Sequence, residues 1–155
     1  SDVYKRQIES IRSLSQPQKE ELLPSLAFSL EADTQFFTTI TRVKTLRQVW
    51  QCYADALAGR ESTSCVIHVY SPAWIHPSFE PHGNLLKGTT AALAAISGGC
   101  DALTIQPAGE SPLEARMAIN TSLLLREESN LHRVADPLAG SYLIESLMDQ
   151  LSHQI

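Results

Sequence analysis

A long stripe of apolar residues runs through the first half of the chain. It repeats with the roughly 3.6-residue period of an α-helix and consists of Phe36, Phe37, Ile40, Val43, Leu46, Trp50, Tyr53, Ala54 and Leu57. Asp33 or Thr34 is suited to cap its amino end, and Gly59 is suited to end it in a left-handed turn. We therefore predict one long amphipathic helix in this stretch.

Three short apolar runs have the composition of β-strands. They span residues 26–30, 65–70 and 101–105, and polar or turn-forming residues flank them. The first run is predicted to be a buried strand. The second, which contains the β-branched residues Val66, Ile67 and Val69, is predicted to be buried on both faces of a sheet.

Two capping boxes mark the starts of further helices. In each, a serine is followed three residues later by Gln or Glu, with a proline between them. Ser15 and Gln18 predict a short helix that ends before Pro24. Ser111 and Glu114 predict a helix that continues to about residue 128.

An alanine-rich helix is predicted from about Pro81 or Gly83 to Ile96. Its alanines at positions 91, 92, 94 and 95 imply close packing against a neighbouring element. The pair Gly98 and Gly99 is suited to a left-handed carboxyl-terminal cap. After a loop through Asp136 and Pro137, Ser141 is positioned to cap a last helix.

The order of these elements predicts an α/β fold. Strands alternate with helices over short connections, which is typical of right-handed parallel βα units. Three parallel strands alone would leave both edges of the sheet open, and complete proteins avoid such edges. The pattern therefore indicates part of a larger unit, either a doubly wound sheet or a (β/α)8 barrel.

Composition and charge exclude several classes of protein. The chain has 155 residues, 43% of them hydrophobic, and a net charge of -5 at pH 7. Its basic residues are scattered, so neither nucleic acid nor an anionic membrane is expected as a partner. The sequence lacks a run long enough for a membrane helix and a signal-peptide pattern, so a cytoplasmic setting is expected.

The cysteines are odd in number and widely spaced. Cys52, Cys65 and Cys100 each lie among apolar residues. This pattern predicts buried free thiols in a reducing compartment, with neither a disulfide nor a metal site.

The residues alone do not assemble a catalytic set. His68, His76 and His82 have spacings that match no helical or zinc motif, so packed or exposed histidines are expected. Glu110, with Asp101 and Glu114 near it in the sequence, is a candidate for binding a sugar or acting as a base, although the capping box accounts for Glu114. The pair at positions 127 and 128 is predicted to be a solvated helix end.

Four ordered blocks resemble the adenosylcobalamin-dependent methylmalonyl-CoA mutases. The longest is REESNLHRVADPLAGSYLIE at residues 126–145, which is similar to the segment that closes the catalytic barrel of that family. The others lie at residues 36–50, 67–74 and 84–101, and the resemblance covers about residues 8–155.

The resemblance implies a partial (β/α)8 TIM barrel. The three predicted strands are similar to the sixth, seventh and eighth strands of the family's barrel. Residues 8–130 then form the C-terminal part of the barrel, and residues 131–155 form the closing segment and the start of a linker helix. Residues 1–7 resemble a translated cloning sequence and are expected to be a non-native leader.

The same resemblance suggests positions that face the cofactor. It implies His68, Tyr70, Ala73, Gln106 and Glu110 as cofactor-binding candidates, and no catalytic or metal-binding residue. Catalytic members carry Arg and Ser on the sixth strand, where this chain has Ser25 and Ala27. Their cobalt-ligating Asp-x-His-x-x-Gly sequence does not occur in this chain.

These departures favour the non-catalytic small subunit of a heterodimeric mutase. The expected role is structural support of a catalytic large subunit, which binds adenosylcobalamin and meets the acyl-CoA substrate, while this fragment alone is expected to be inactive and to bind no cofactor. The alternative is a fragment of a divergent catalytic adenosylcobalamin-dependent acyl-CoA mutase, in which Tyr70, Gln106 and Glu110 would contact the adenosyl group.

Overall fold

A parallel three-stranded sheet lies at the centre of the protein. The computed structural model describes residues 9–58, 64–72 and 83–153. Within them β1 (Ala27–Glu31), β2 (Val66–Tyr70) and β3 (Ala102–Thr104) pair in the order β1-β2-β3, and both pairings are parallel. The predicted α/β alternation is therefore confirmed.

Helices precede, connect and follow the strands. They are α1 (Gln16–Leu22), α2 (Phe36–Ala58), α3 (Gly83–Ser97), α4 (Pro112–Glu127) and α5 (Tyr142–Ser152), with 3-10 turns at Leu23–Ser25 and Leu131–Arg133. None of the described helices is both long and apolar enough to cross a membrane.

The main core lies between one face of the sheet and helices α2 and α3. Ile67 and Val69 of β2 are fully buried there, together with Val43 of α2. Trp50 packs edge-on against Phe28, with ring centroids 5.0 Å apart. Burying each of these side chains stabilises the fold by about 1.5–3 kcal/mol, so the predicted stripe on α2 is what holds that helix to the sheet.

The alanines of α3 permit a close helix contact. All four predicted alanines are at most 1% exposed. At Gly98 a Cβ atom would lie 3.1 Å from Cβ of Val43 and 3.3 Å from Cα of Ile40, so the chain passes directly against α2. Gly99 then adopts a φ of 84°, which confirms the predicted left-handed turn.

The capping boxes form as predicted. The Ser111 backbone N–H donates to Glu114 Oε2 at 2.9 Å, and the Glu114 backbone N–H donates to Ser111 Oγ at 3.3 Å. The Ser15 backbone N–H likewise donates to Gln18 Oε1 at 3.0 Å. Ser141 occupies the position before α5, but its side chain makes no capping hydrogen bond.

Helix α2 begins later than predicted. Its first backbone bond runs from the N–H of Thr39 to the carbonyl of Gln35. Asp33 instead accepts through Oδ1 from the adjacent N–H of Thr34 at 2.6 Å, a local bond that competes with capping. The predicted stop at Gly59 lies outside the described residues.

The prediction of fully buried strands was wrong for one face of the sheet. Ser29 and Glu31 of β1 are exposed, and Val66 of β2 is 49% exposed. Successive strand residues point to opposite faces, and α2 and α3 cover one face only. Apolar composition alone does not reveal which faces are covered.

Two of the cysteines fit the predicted environment and one does not. Cys65 is buried and Cys100 is partly buried, but Cys52 is exposed. Cys52 lies two residues beyond Trp50 on α2, about 200° around the helix from the core-facing side. Burial raises the pKa of the Cys100 thiol to about 11, so that thiol stays protonated at neutral pH.

Candidate functional site

An imidazole joins the three strands on the face of the sheet that α2 and α3 leave uncovered, which we call the open face. The Nδ1 atom of His68 lies 2.9 Å from Ser29 Oγ on β1. Its Nε2 atom lies 2.9 Å from Thr104 Oγ1 on β3. Ser29 is directly opposite His68 in the strand register. Thr104 lies on β3, two residues beyond Ala102, which is the residue paired with His68.

Tyr70 forms a second link beside His68. The two residues are separated by one position along β2, so they share a face, and their rings stack with centroids 6.1 Å apart at an angle of 28°. The Tyr70 hydroxyl donates to Glu31 Oε2 at 3.3 Å, and these residues are also directly opposite in the register.

The arrangement does not form a nucleophile with an activated base. Ser29 and His68 have the spacing of a serine–histidine pair. However, the second ring nitrogen of His68 meets a threonine hydroxyl rather than a carboxylate. The nearby Glu31 carboxylate bonds to Tyr70, so these polar groups satisfy one another.

The loop after β3 is held to the end of β2 by its backbone. The N–H of Gln106 donates to the hydroxyl of the buried Ser71 at 2.9 Å, while the Gln106 side chain is exposed. Gln106 also lines a mainly apolar cleft of about 190 Å³ between α3 and α4. Glu110 is exposed.

The structure brings together only some of the candidate residues. His68 and Tyr70 are in contact, whereas Gln106 is joined to β2 through Ser71 and not through its own side chain. Ala73, like Trp74, His76 and His82, lies outside the described residues. Among the residues that the structure describes, no three His, Cys, Asp or Glu side chains gather in a way that could hold a metal ion.

Asp101 belongs to a different end of the sheet from Glu110. It precedes β3, and its Oδ2 atom accepts from Arg47 Nη2 and from the N–H of Ile67, both at 2.8 Å. Arg47 Nη2 also donates to the Gly99 carbonyl at 2.7 Å. The suggestion that Asp101 assists Glu110 is therefore wrong, because Asp101 joins α2 to the amino ends of the strands.

Glu114 has the structural role that its capping box predicted. The Ser111 backbone N–H, and secondly the Ser111 hydroxyl, lower the pKa of the Glu114 carboxyl. Hydrogen bonds to the charged form of a carboxyl favour ionisation. Glu114 therefore caps α4 as a carboxylate.

Three residues on the open face were missed by sequence reasoning. Ser29, Glu31 and Thr104 were not among the candidate residues. A usable signal was the two-residue alternation of strands, because burial of Ile67 and Val69 places His68 and its register neighbours on the other face.

The segment after α4 is fixed to α2 by an ion pair. Lys44 Nζ donates to Asp136 Oδ2 at 2.6 Å, and the side chains are 15% and 43% exposed. This hydrogen bond is the main reason why the pKa of the Asp136 carboxyl is lowered. Asp136 lies in the run at residues 126–145 that carried the resemblance.

We expect a small acid-dependent contribution from this pair. Because the folded-state pKa of Asp136 is depressed, its stabilisation is present above the unfolded pKa of about 3.9 and is lost as pH falls through the folded value. Lys44→Met should lower the free energy of unfolding by about 0.5 kcal/mol at pH 7, since the pair is partly exposed, and by almost nothing once the pH is below the folded pKa of Asp136. Urea unfolding at several pH values measures this.

Lys19→Met, which removes one positive charge from α1, serves as the control for net charge. An equal pH dependence in both variants would contradict the assignment to Asp136.

Comparison with known proteins identifies the family. The sequence profile described as methylmalonyl-CoA mutase matches residues 14–155. This chain belongs to the methylmalonyl-CoA mutase family. A probable methylmalonyl-CoA mutase small subunit of Mycobacterium tuberculosis is 33% identical over 144 residues, covering 86% of this chain and 23% of the relative.

Other methylmalonyl-CoA mutase relatives give the same result. The methylmalonyl-CoA mutase small subunit of Streptomyces virginiae is 32% identical, with 86% of this chain and 23% of the relative covered. The methylmalonyl-CoA mutase of Escherichia coli is 31% identical, with 87% and 20% covered. The chain thus spans about a fifth to a quarter of the length of these relatives.

Methylmalonyl-CoA mutases are generally cobalamin-dependent, so the fit of the candidate positions to that cofactor matters. Both ring nitrogens of His68 are engaged by Ser29 and Thr104, and the Tyr70 hydroxyl is engaged by Glu31. These two positions do not fit a role in holding the adenosyl group, because their polar atoms are directed to neighbouring strands.

Proposed function

We propose that this chain is part of the non-catalytic small subunit of a cytoplasmic methylmalonyl-CoA mutase. In this proposal it supports a catalytic large subunit in a heterodimer, and the complex interconverts methylmalonyl-CoA and succinyl-CoA. The observation that carries the proposal is that His68 and Tyr70, at the two described seventh-strand candidates, bond within the sheet.

The proposed architecture is the C-terminal part of a (β/α)8 barrel, with the described strands as its last three. Residues 8–130 would belong to the barrel, residues 131–155 to its closing segment and the start of a linker, and residues 1–7 to a non-native leader outside the described residues. A three-stranded parallel sheet with helices over one face supports this arrangement. In a barrel, the open face would point to the interior.

The surface of α4 also supports a larger assembly. Leu113, Ile119 and Leu123 are 63%, 63% and 51% exposed on this helix. Side chains of this kind are normally covered when they occur together on one element. Helices from the rest of a barrel would cover them.

The proposed division of labour leaves the cofactor with the partner. Adenosylcobalamin supplies radical chemistry in the family and would be bound by the catalytic subunit. The small subunit would meet an acyl-CoA only through the complex, and it would bind neither nucleic acid nor membrane. Two of the relatives described above are named as small subunits, which supports this placement.

The test is an activity assay on the full-length subunit with and without its large subunit. Adenosylcobalamin and methylmalonyl-CoA are added, and the cobalamin spectrum and succinyl-CoA formation are followed. We expect neither spectral change nor turnover from the small subunit alone, and turnover from the pair. Turnover by the subunit alone would contradict the proposal and favour a divergent catalytic mutase.

Variants at the candidate positions sharpen this assay. Gln106→Ala and Glu110→Gln in the small subunit should change the turnover of the pair by less than about twofold, because these residues would not meet the reacting atoms. A clearly larger loss of turnover with both substitutions would indicate a working cofactor site in this chain.

A further inference from the structure

The open face of the sheet contains a side chain that contacts both neighbouring strands. His68 lies on the central strand, and its two ring nitrogens are each 2.9 Å from a hydroxyl on β1 or β3. We propose that His68 is an interstrand hydrogen-bond bridge, which holds β1, β2 and β3 together in place of contacting a ligand. This inference rests on the proposed non-catalytic role and assigns a use to a residue at a cofactor-facing position.

The hydroxyl partners allow the bridge to form in any protonation state of the imidazole. A neutral imidazole has one donor and one acceptor nitrogen, and the hydroxyls of Ser29 and Thr104 can each donate or accept. Either tautomer of His68 therefore satisfies both contacts. A protonated ring, which donates from both nitrogens, also finds two acceptors.

Tyr70 extends the bridge toward the carboxyl end of the sheet. Its ring stacks on His68, and its hydroxyl donates to Glu31 across the same pair of strands. Two alternate positions of β2, His68 and Tyr70, thus form side-chain bonds to the residues opposite them on β1. Cross-strand pairs of this kind stabilise a sheet in addition to its backbone ladder.

The bridge attaches β3, which is a short strand. This strand has only 3 residues, so its backbone ladder with β2 is brief. The bond from His68 to Thr104 adds a side-chain attachment at the last residue of the strand. In a subunit whose task is support, this attachment maintains the position of β3 and of the loop that follows it.

The experiment measures amide hydrogen exchange in the full-length small subunit bound to its large subunit. His68→Phe keeps a ring beside Tyr70 and removes both nitrogens. Amides of β1, β2 and β3 should exchange at least roughly tenfold faster, since the lost hydrogen bonds together correspond to that factor. Thr90→Val, which removes a hydroxyl bonded only within α3, should leave the sheet unchanged.

A double-variant comparison separates the bridge from a general packing defect. Ser29→Ala with Thr104→Val removes both partners and keeps the imidazole, so it remains informative if His68→Phe fails to fold. Combining either partner substitution with His68→Phe should add little further loss of protection, because the bond is already gone.

Catalytic readouts distinguish failure of the bridge from failure of the proposed function. Turnover of the pair and its cobalamin spectrum should be unchanged in the bridge variants. Unchanged exchange in His68→Phe would overturn the bridge, as would altered cobalamin binding with normal sheet protection. Turnover by the small subunit alone would instead overturn the non-catalytic role, whatever the exchange result.

Discussion

Gly98→Val will lower the free energy of unfolding by about 2–3 kcal/mol. A Cβ atom at this position would lie 3.1 Å from Val43 Cβ and 3.3 Å from Ile40 Cα. Both atoms are fixed on the buried side of α2, so they cannot move aside without displacing the helix. The methyl groups of valine add to the clash, and α2 and α3 must separate. Urea unfolding followed by circular dichroism measures the change.

Gly83→Ala is the matched control for this substitution. A Cβ atom at Gly83 has no neighbour within 4 Å, and the residue is the first of α3. The free energy of unfolding of the Gly83→Ala variant should change by less than about 0.5 kcal/mol. A slight increase is expected, because alanine favours helices. A loss below about 1 kcal/mol for Gly98→Val would show that the helices do not need their close approach.

Asp101→Ala will lower the free energy of unfolding by about 2 kcal/mol. The substitution leaves the N–H of Ile67 without its carboxylate acceptor and removes the ion pair to Arg47. The side chains of Arg47 and Asp101 are 33% and 44% exposed, so the loss should stay below that for a fully buried pair. Arg47 retains its bonds to the carbonyls of Gly99 and Cys65, which limits the damage.

Two further variants test the origin of that loss. Asp101→Asn keeps an oxygen acceptor and should recover about half of the stability. Glu127→Gln removes an ion pair between side chains that are 71% and 64% exposed, and it should cost less than about 0.5 kcal/mol. Similar losses for Asp101→Ala and Glu127→Gln would mean that the Asp101 network contributes no more than an exposed pair.

The alternation of elements was predictable because it depends on local signals. The apolar period of α2, the alanines of α3 and the Ser111 capping box are all encoded within a few turns of chain. Burial of the strands was not predictable to the same degree. Val66 is apolar but 49% exposed, since its burial depends on what covers the open face rather than on its own neighbours in sequence.

The sequence predicted which residues belong to the candidate site better than it predicted which partners they bond to. Resemblance singled out His68 and Tyr70, and the structure brings their rings together. It did not reveal the partners Ser29 and Thr104, which lie 39 and 36 residues from His68 in sequence. Hydrogen bonds over such separations are set by strand register, which apolar composition alone does not fix.

The contacts of α2 with the C-terminal segment that holds Asp136 and α5 join parts of the chain that are synthesised far apart in time. Lys44 and Asp136 are 92 residues apart, and Ile144 of α5 packs near the same helix, in a cluster with Ile40. At translation rates of about 5–20 residues per second, residue 136 is synthesised roughly 5–20 seconds after this part of α2. During that interval Ile40 lacks the part of its packing that Ile144 supplies.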